Sequence, residues 1–321
     1  MENNIQEFTK RSCYNDDDSG KIFLFTMIAP LLLSIVLSMI GGQIAKQRGV
    51  EVEEITSNIW FLVVFSTILF IVYFAIFFVY NKCAKVENKA INLKFKMPWH
   101  TYLIAIVVGA VSLFGIQYFI NSFDDLWRVI GMNLNVASIN PTDFGTFVVA
   151  VIVLAVFPAI TEELIFRGVV FNGLRSRFSD WQAIALSSLM FALMHGNLQQ
   201  LIYPFLLGMV MSWMVLRTGS LVSSILVHFT NNFLVVLMTY IQNITGFTMN
   251  IAHTWWFYLL AVILLGLTVG IYFIIDRFYF KHKAKEEVEK TSTKTSIFVY
   301  ISLAISMVIF IVQTSLMFIK L

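Results

Sequence analysis

Residues 161–167 read Thr161-Glu162-Glu163-Leu164-Ile165-Phe166-Arg167, inside an apolar run from 144 to 174 that carries no other charge. A charged side chain at membrane depth costs at least ~2.5–3.5 kcal/mol on insertion scales, so such residues are rare and mark function. On a helix, Glu163 and Arg167 are four apart with the glutamate on the N-terminal side, the better orientation for an ion pair. Glu162 is turned by about 100° from Glu163, as 3.6 residues per turn requires. The expected arrangement has Arg167 neutralising Glu163 and leaves Glu162 directed at another group.

The chain around this stretch has 321 residues, 58% of them hydrophobic and 13% charged. Soluble domains carry about 25% charged residues. The fold class expected is therefore all-α, a polytopic membrane helical bundle, because the period-2 alternation of strands is missing. The first twenty residues are polar and acidic, unlike a cleavable signal peptide. Cys13 and Cys83 have no metal-binding or redox spacing. No nucleic-acid partner is expected, and membrane lipids surround the chain.

A spanning helix needs roughly 20 apolar residues. Nine candidate spans follow: 22–45, 55–81, 101–123, 144–174, 181–196, 199–216, 221–241, 254–275 (beginning at Thr254) and 295–319. Residues 1–21, with the acidic run Asp16 to Asp18, read as a solvated cytoplasmic tail. Residues 22–143 read as N-terminal spans and loops, 144–241 as a four-helix core and 242–321 as C-terminal spans. Thr142 or Asp143 can cap the fourth span and Asp180 the fifth. The fourth is long enough to require tilt or a kink at Pro158.

Lysine and arginine in the loops set orientation. One side receives Lys10, Arg11, Lys21, Lys82, Lys85, Lys89, Lys94, Lys96, Arg175, Arg177, Arg217, Arg277, Lys281, Lys283, Lys285, Lys290 and Lys294. The other receives Lys46, Arg48, Arg128 and Lys320. The N-terminus is accordingly expected in the cytoplasm.

Within the core the intramembrane ionisable residues are Glu162, Glu163, Arg167, His195 and His228. Glu163 and His195 lie ~18 and ~22 Å from the turn that joins their spans, at 1.5 Å per residue. A hairpin there brings His195 level with the glutamates. Asn232 lies one turn beyond His228 on the same face.

Each feature has a plain structural reading: a packing histidine, a Glu–Arg pair as glue, a His–Asn pair bridging helices. Their coincidence in a bundle with so little other charge points to hydrolysis. A glutamate in an apolar site is suited to general-base work near neutral pH. A histidine with an amide N–H donor is what a developing oxyanion requires. Glu162, His195 and His228 would also be the ligand set if zinc were bound, although no H-E-x-x-H occurs. Ser224 lies four residues before His228, but nothing marks it as an activated nucleophile. An aspartyl dyad is excluded, since no Asp lies between Asp143 and Asp180 or between Asp180 and Asp276.

These residues resemble the CAAX prenyl protease and bacteriocin-processing (ABI) family of intramembrane endopeptidases. Its E-E-x-x-x-R motif stands as Glu162, Glu163 and Arg167. Its F-x-x-x-H motif is Phe191 and His195, and its H-x-x-x-N motif is His228 and Asn232. The likeness covers residues 144–241. It implies that Glu162 and His195 activate water, that His228 and Asn232 stabilise the oxyanion, and that Glu163 and Arg167 hold the site together. It also implies a peptide or membrane-protein substrate, with bacterial members linked to bacteriocin maturation or self-immunity. Zinc-dependent and metal-free mechanisms are both open at this point. A non-catalytic immunity or regulatory protein built on the same scaffold is the alternative. Asn231, about 100° round the helix from Asn232, is expected to be neutral.

Overall fold

The structure is a computed structural model that describes residues 11–121, 123–131, 139–198, 200–246, 255–280, 290, 294–316 and 318. Lys10, Thr254, Lys281, Lys283, Lys285 and Lys320 lie outside the described residues. Among those described the fold is helical throughout, with one isolated backbone bridge between Arg11 and Val86.

Among the described residues, seven helices are long and apolar enough to cross a membrane: α1 (Asp16–Arg48), α3 (Ile59–Ala84), α4 (Trp99–Asn121), α6 (Phe144–Arg175), α9 (Leu221–Thr245), α10 (Trp256–Tyr279) and α11 (Ile297–Leu316). Short helices α2 (Val52–Thr56) and α5 (Asp124–Val129) connect the first of them. The protein is a helical polytopic membrane bundle. The expected count of about nine spans is not confirmed. Two of the nine are α7 (Asp180–Met194) and α8 (Ile202–Thr218), of 15 and 17 residues. At 1.5 Å per residue they reach ~23 and ~26 Å, short of the ~30 Å hydrocarbon layer. The apolar windows had included residues of the turn between these helices.

The acidic run is not a solvated tail. Asp16 and Asp18 are buried and open α1. Asn15 caps the helix in a reciprocal box with Asp18. Arg11 donates two bonds to Asp18 (3.0 and 2.9 Å), and the Tyr80 hydroxyl donates a third (2.8 Å). Ser296, just before α11, donates its N–H to Asp16 and its hydroxyl to Asp17, each at 2.7 Å. Carboxylates in a first helical turn also meet the positive end of the helix dipole. The donors come from positions 80 and 296, so no local reading of the sequence could reveal this burial.

Helix α6 starts at the cap formed by Asp143 with Thr146. It contains two π-helical stretches, Val151–Val156 and Leu164–Phe171, separated by the α-helical Phe157–Glu163. Such wider turns often mark functional sites. Pro158 lies inside the continuous α6, just after the first π stretch, and it has no N–H to give to the preceding turn. Helix α7 is capped by Ser179 with Gln182, not by Asp180, which pairs with Arg175 at 2.9 Å. The charge of Asp180 is used across the α6–α7 turn instead.

The core of the bundle forms where α6 meets α1, α7, α8 and α9, with α4 packed along α9 and α11 along α1. Phe166, Phe171, Phe191, Leu174, Ile184 and Met190 are fully buried at its centre. Helix α8 ends at Gly219, whose φ of +66° is the left-handed conformation that closes a helix. Its Gly208 lies so close to α6 and α7 that an added Cβ would stand 3.1 Å from both the Arg167 guanidinium and the Ser188 side chain.

Candidate active site

Two of the three charges in the organising stretch, Glu163 and Arg167, are buried inside the bundle. Arg167 Nη1 donates to Glu163 Oε1 at 2.8 Å, and both side chains are completely buried. Arg167 Nη2 donates to the carbonyl of Gly208 at 3.1 Å, and its guanidinium stacks over the Phe191 ring at 4.5 Å. The expected Glu163–Arg167 pair is therefore present, and Arg167 is fixed at two further points. Glu163 Oε2 and Arg167 Nε have no hydrogen-bond partner among the described residues. Unsatisfied buried groups of this kind concentrate where function overrides stability.

His228 also reaches this pair. Its Nδ1 lies 2.9 Å from Glu163 Oε1. A carboxylate only accepts, so Nδ1 carries the proton. Its Nε2 stands 3.9 Å from Glu162 Oε2. Glu162 retains 15% side-chain exposure, against none for Glu163 and Arg167. Glu162 is thus the less buried of the two carboxylates, and Arg167 bonds to Glu163 instead, as the 100° offset anticipated. The contact between His228 and Glu163, rather than Glu162, was not anticipated.

His195 follows directly on α7 and caps its C-terminal end. Its Nδ1 lies 2.9 Å from the Phe191 carbonyl. That carbonyl can only accept, so Nδ1 is the protonated nitrogen and Nε2 of the neutral ring keeps its lone pair. The Phe191 ring lies edge-on to His195 (5.0 Å between centroids), His228 (5.9 Å) and Phe166 (5.1 Å). One buried ring thus touches both histidines and the arginine, which brings all three motifs together.

Asn232 is held on two sides. Its Nδ2 donates to the Leu154 carbonyl at 3.0 Å. In an α-helix that carbonyl would accept from the N–H four residues on, which here belongs to Pro158 and does not exist. Its Oδ1 accepts from Asn231 Nδ2 at 3.1 Å. Asn231 Oδ1 in turn accepts a short bond from the Tyr203 hydroxyl of α8. Asn231 is buried and bonded on both edges of its amide. Sequence reasoning missed Asn231 and Tyr203. Two adjacent asparagines in an apolar helix were the available signal, since each must find partners when buried.

Ser224 donates to the Leu221 carbonyl at 3.0 Å and has no bond to His228, whose ring is committed to Glu163. Among the described residues, no group of three or more His, Cys, Asp or Glu side chains is arranged to hold a metal ion. The conditional zinc set of Glu162, His195 and His228 does not converge as ligands, so no step below passes through a metal.

No curated protein and no solved structure is significantly similar to the chain. A family model does match, over residues 144–234, which is the run from the start of α6 through the His228–Asn232 turn of α9. Its description is type II CAAX prenyl endopeptidase Rce1-like, and it is to this family that residues 144–234 are similar.

Proposed function

We propose that the protein is an intramembrane endopeptidase that hydrolyses peptide bonds with glutamate-activated water. The observation that carries this reading is the less buried Glu162 beside a sealed Glu163–Arg167–His228 cluster inside an apolar bundle. Glu162 takes a proton from water as the water oxygen attacks the peptide carbonyl carbon. His195 Nε2, with its lone pair free, orients that water by accepting its second hydrogen. Negative charge then develops on the carbonyl oxygen. His228, with Nδ1–H held by Glu163, turns Nε2 toward Glu162 and donates to that carbonyl oxygen from Nε2 when the ring is in its imidazolium form. Asn232 offers the Nδ2 hydrogen that Leu154 does not use. Collapse of the intermediate breaks the C–N bond, and the proton on Glu162 passes to the leaving amine. Preorganised donors of this kind stabilise a transition state more than a ground state.

The substrate is a peptide or a membrane-protein segment that reaches the site from the bilayer. Short loops and the lysine-rich side of the chain support a bacterial plasma membrane with a cytoplasmic N-terminus. The test uses purified protein in detergent and a library of quenched-fluorescent peptides that includes prenylated and unprenylated C-termini. Wild type cleaves, and Glu162→Gln, nearly isosteric but unable to act as a base, does not. Equal cleavage by both sinks the glutamate mechanism. No cleavage by the wild type favours the non-catalytic regulatory reading.

A further inference from the structure

Tyr203, Asn231 and Asn232 form a hydrogen-bond chain with a single direction. The Tyr203 hydroxyl donates to Asn231 Oδ1, Asn231 Nδ2 donates to Asn232 Oδ1, and Asn232 Nδ2 donates to the Leu154 carbonyl. An amide side chain presents oxygen on one edge and N–H₂ on the other, and rotation by 180° exchanges them. The Leu154 carbonyl can only accept, so it takes the N–H₂ edge of Asn232 and leaves the Asn232 oxygen toward Asn231. That oxygen takes the N–H₂ edge of Asn231, whose own oxygen then faces Tyr203, and the hydroxyl donating there holds both amides in this orientation. Were Asn231 to rotate, two amide oxygens would oppose each other, and Asn232 would have to turn its own oxygen toward the Leu154 carbonyl.

The chain also spans three elements. Tyr203 stands in the first turn of α8, both asparagines in the middle of α9, and Leu154 in the π-helical stretch of α6. We infer that Tyr203 and Asn231 are positioning residues that set the amide orientation of Asn232 and thereby aim its free N–H at the oxyanion. This inference rests on the proposed role of Asn232 in peptide hydrolysis.

Two measurements test it. The first needs no substrate. In protein labelled with ¹⁵N-asparagine, the side-chain N–H₂ signals of Asn231 and Asn232 are assigned by deleting each residue in turn. Tyr203→Phe removes one oxygen and keeps the ring, and it is expected to shift both pairs of signals. A shift confined to Asn231, or no shift, overturns the relay.

The second is kinetic, on the best-cleaved peptide of the library. Misplacing a group that contacts the reacting atoms costs up to about 100-fold. Tyr203→Phe and Asn231→Asp are each expected to lower kcat by roughly 10- to 100-fold with KM nearly unchanged. In an Asn232→Ala background neither should cost anything further, since both act through the missing amide. Equal costs in both backgrounds mean that the residues only hold the fold, and the inference fails. A wild-type kcat for Asn232→Ala sinks the oxyanion role and the positioning role together. A large loss in Asn232→Ala with Tyr203→Phe silent sinks the relay alone.

Discussion

His228 Nδ1 and Glu163 Oε1 stand 2.9 Å apart, although 65 residues separate them in the chain. The same oxygen receives Arg167 Nη1 at 2.8 Å. Glu163 is therefore shared between the cation on its own helix and the histidine of α9. It occupies Nδ1 of His228 and so leaves Nε2, which stands 3.9 Å from Glu162 Oε2. A glutamate paired with arginine alone would only neutralise a charge. A glutamate that also holds His228 couples the first motif to the third.

Arg167→Ala is expected to lower stability as well as activity. It leaves Glu163 buried with His228 as its remaining partner, and breaking a buried pair costs ~3–5 kcal/mol. Arg167→Lys should rescue only part of this. A lysine keeps the charge but cannot reach Glu163 and Gly208 together while stacking on Phe191. Thermal unfolding in detergent measures both. An unchanged midpoint for the alanine variant would show that the pair adds nothing to the fold.

The Phe191 ring contacts His195, His228 and the Arg167 guanidinium. Phe191→Leu keeps the site apolar but removes the flat surface on which these groups rest. Large-to-small changes in cores typically cost ~1–4 kcal/mol, and kcat should fall by more than that loss of folded protein explains. Activity normalised to the folded fraction is the measurement. A normalised kcat equal to wild type would mean that the ring is mere filling.

Chelation is expected to leave cleavage unchanged, because the histidine and glutamate side chains do not converge as a ligand set. Incubation with a strong chelator, followed by metal analysis and assay, checks this. Loss of activity that returns with added zinc would overturn the metal-free route, since metal-dependent sites lose function as their ligands are emptied.

Much of the site could be read from the chain because its signals are local. Glu163 and Arg167 share a face by i, i+4 spacing, and Glu162 departs from it by one residue; the structure keeps both relations. The level of His195 followed from counting residues to a shared turn, and its contact with Phe191 places it beside Arg167 and His228. What could not be read depends on pairings between distant segments. Asp18 looked solvated because Tyr80 lies 62 residues away. The bonding of Asn231 was hidden because Tyr203, on another helix, is its partner. By contrast, the lengths of α7 and α8, 15 and 17 residues, lie within one residue of the expected apolar runs, because hydropathy is a local signal.

Asp18→Ala should destabilise the N-terminal end of the bundle. Asp18 accepts from Arg11, Tyr80 and the Asn15 N–H. Hydrogen bonds to charged groups contribute ~1.5–3 kcal/mol each at most, and Arg11 is partly exposed, so a loss of about 2 kcal/mol is expected. Proteolysis of α1 in the folded protein should rise in parallel. Stability equal to wild type would mean that the carboxylate is no better placed than in water.

Pro158 and Asn232 are linked through the Leu154 carbonyl, and this gives the last prediction. An alanine at 158 would bring back an N–H four residues after Leu154, the spacing of an α-helical bond. Pro158→Ala should then be neutral or stabilising for α6, since proline costs ~3 kcal/mol in a helix interior. The restored N–H would compete with Asn232 Nδ2 for the carbonyl. Asn232 would lose one of its two anchors and its amide would be free to turn. A stable protein with lowered kcat and nearly unchanged KM is therefore expected, with a loss below the ~10²–10³ that removal of an oxyanion donor produces. Thermal unfolding and steady-state kinetics on the same preparation decide it. If Pro158→Ala unfolds earlier and its kcat per folded molecule is that of wild type, the proline serves the helix and not the asparagine.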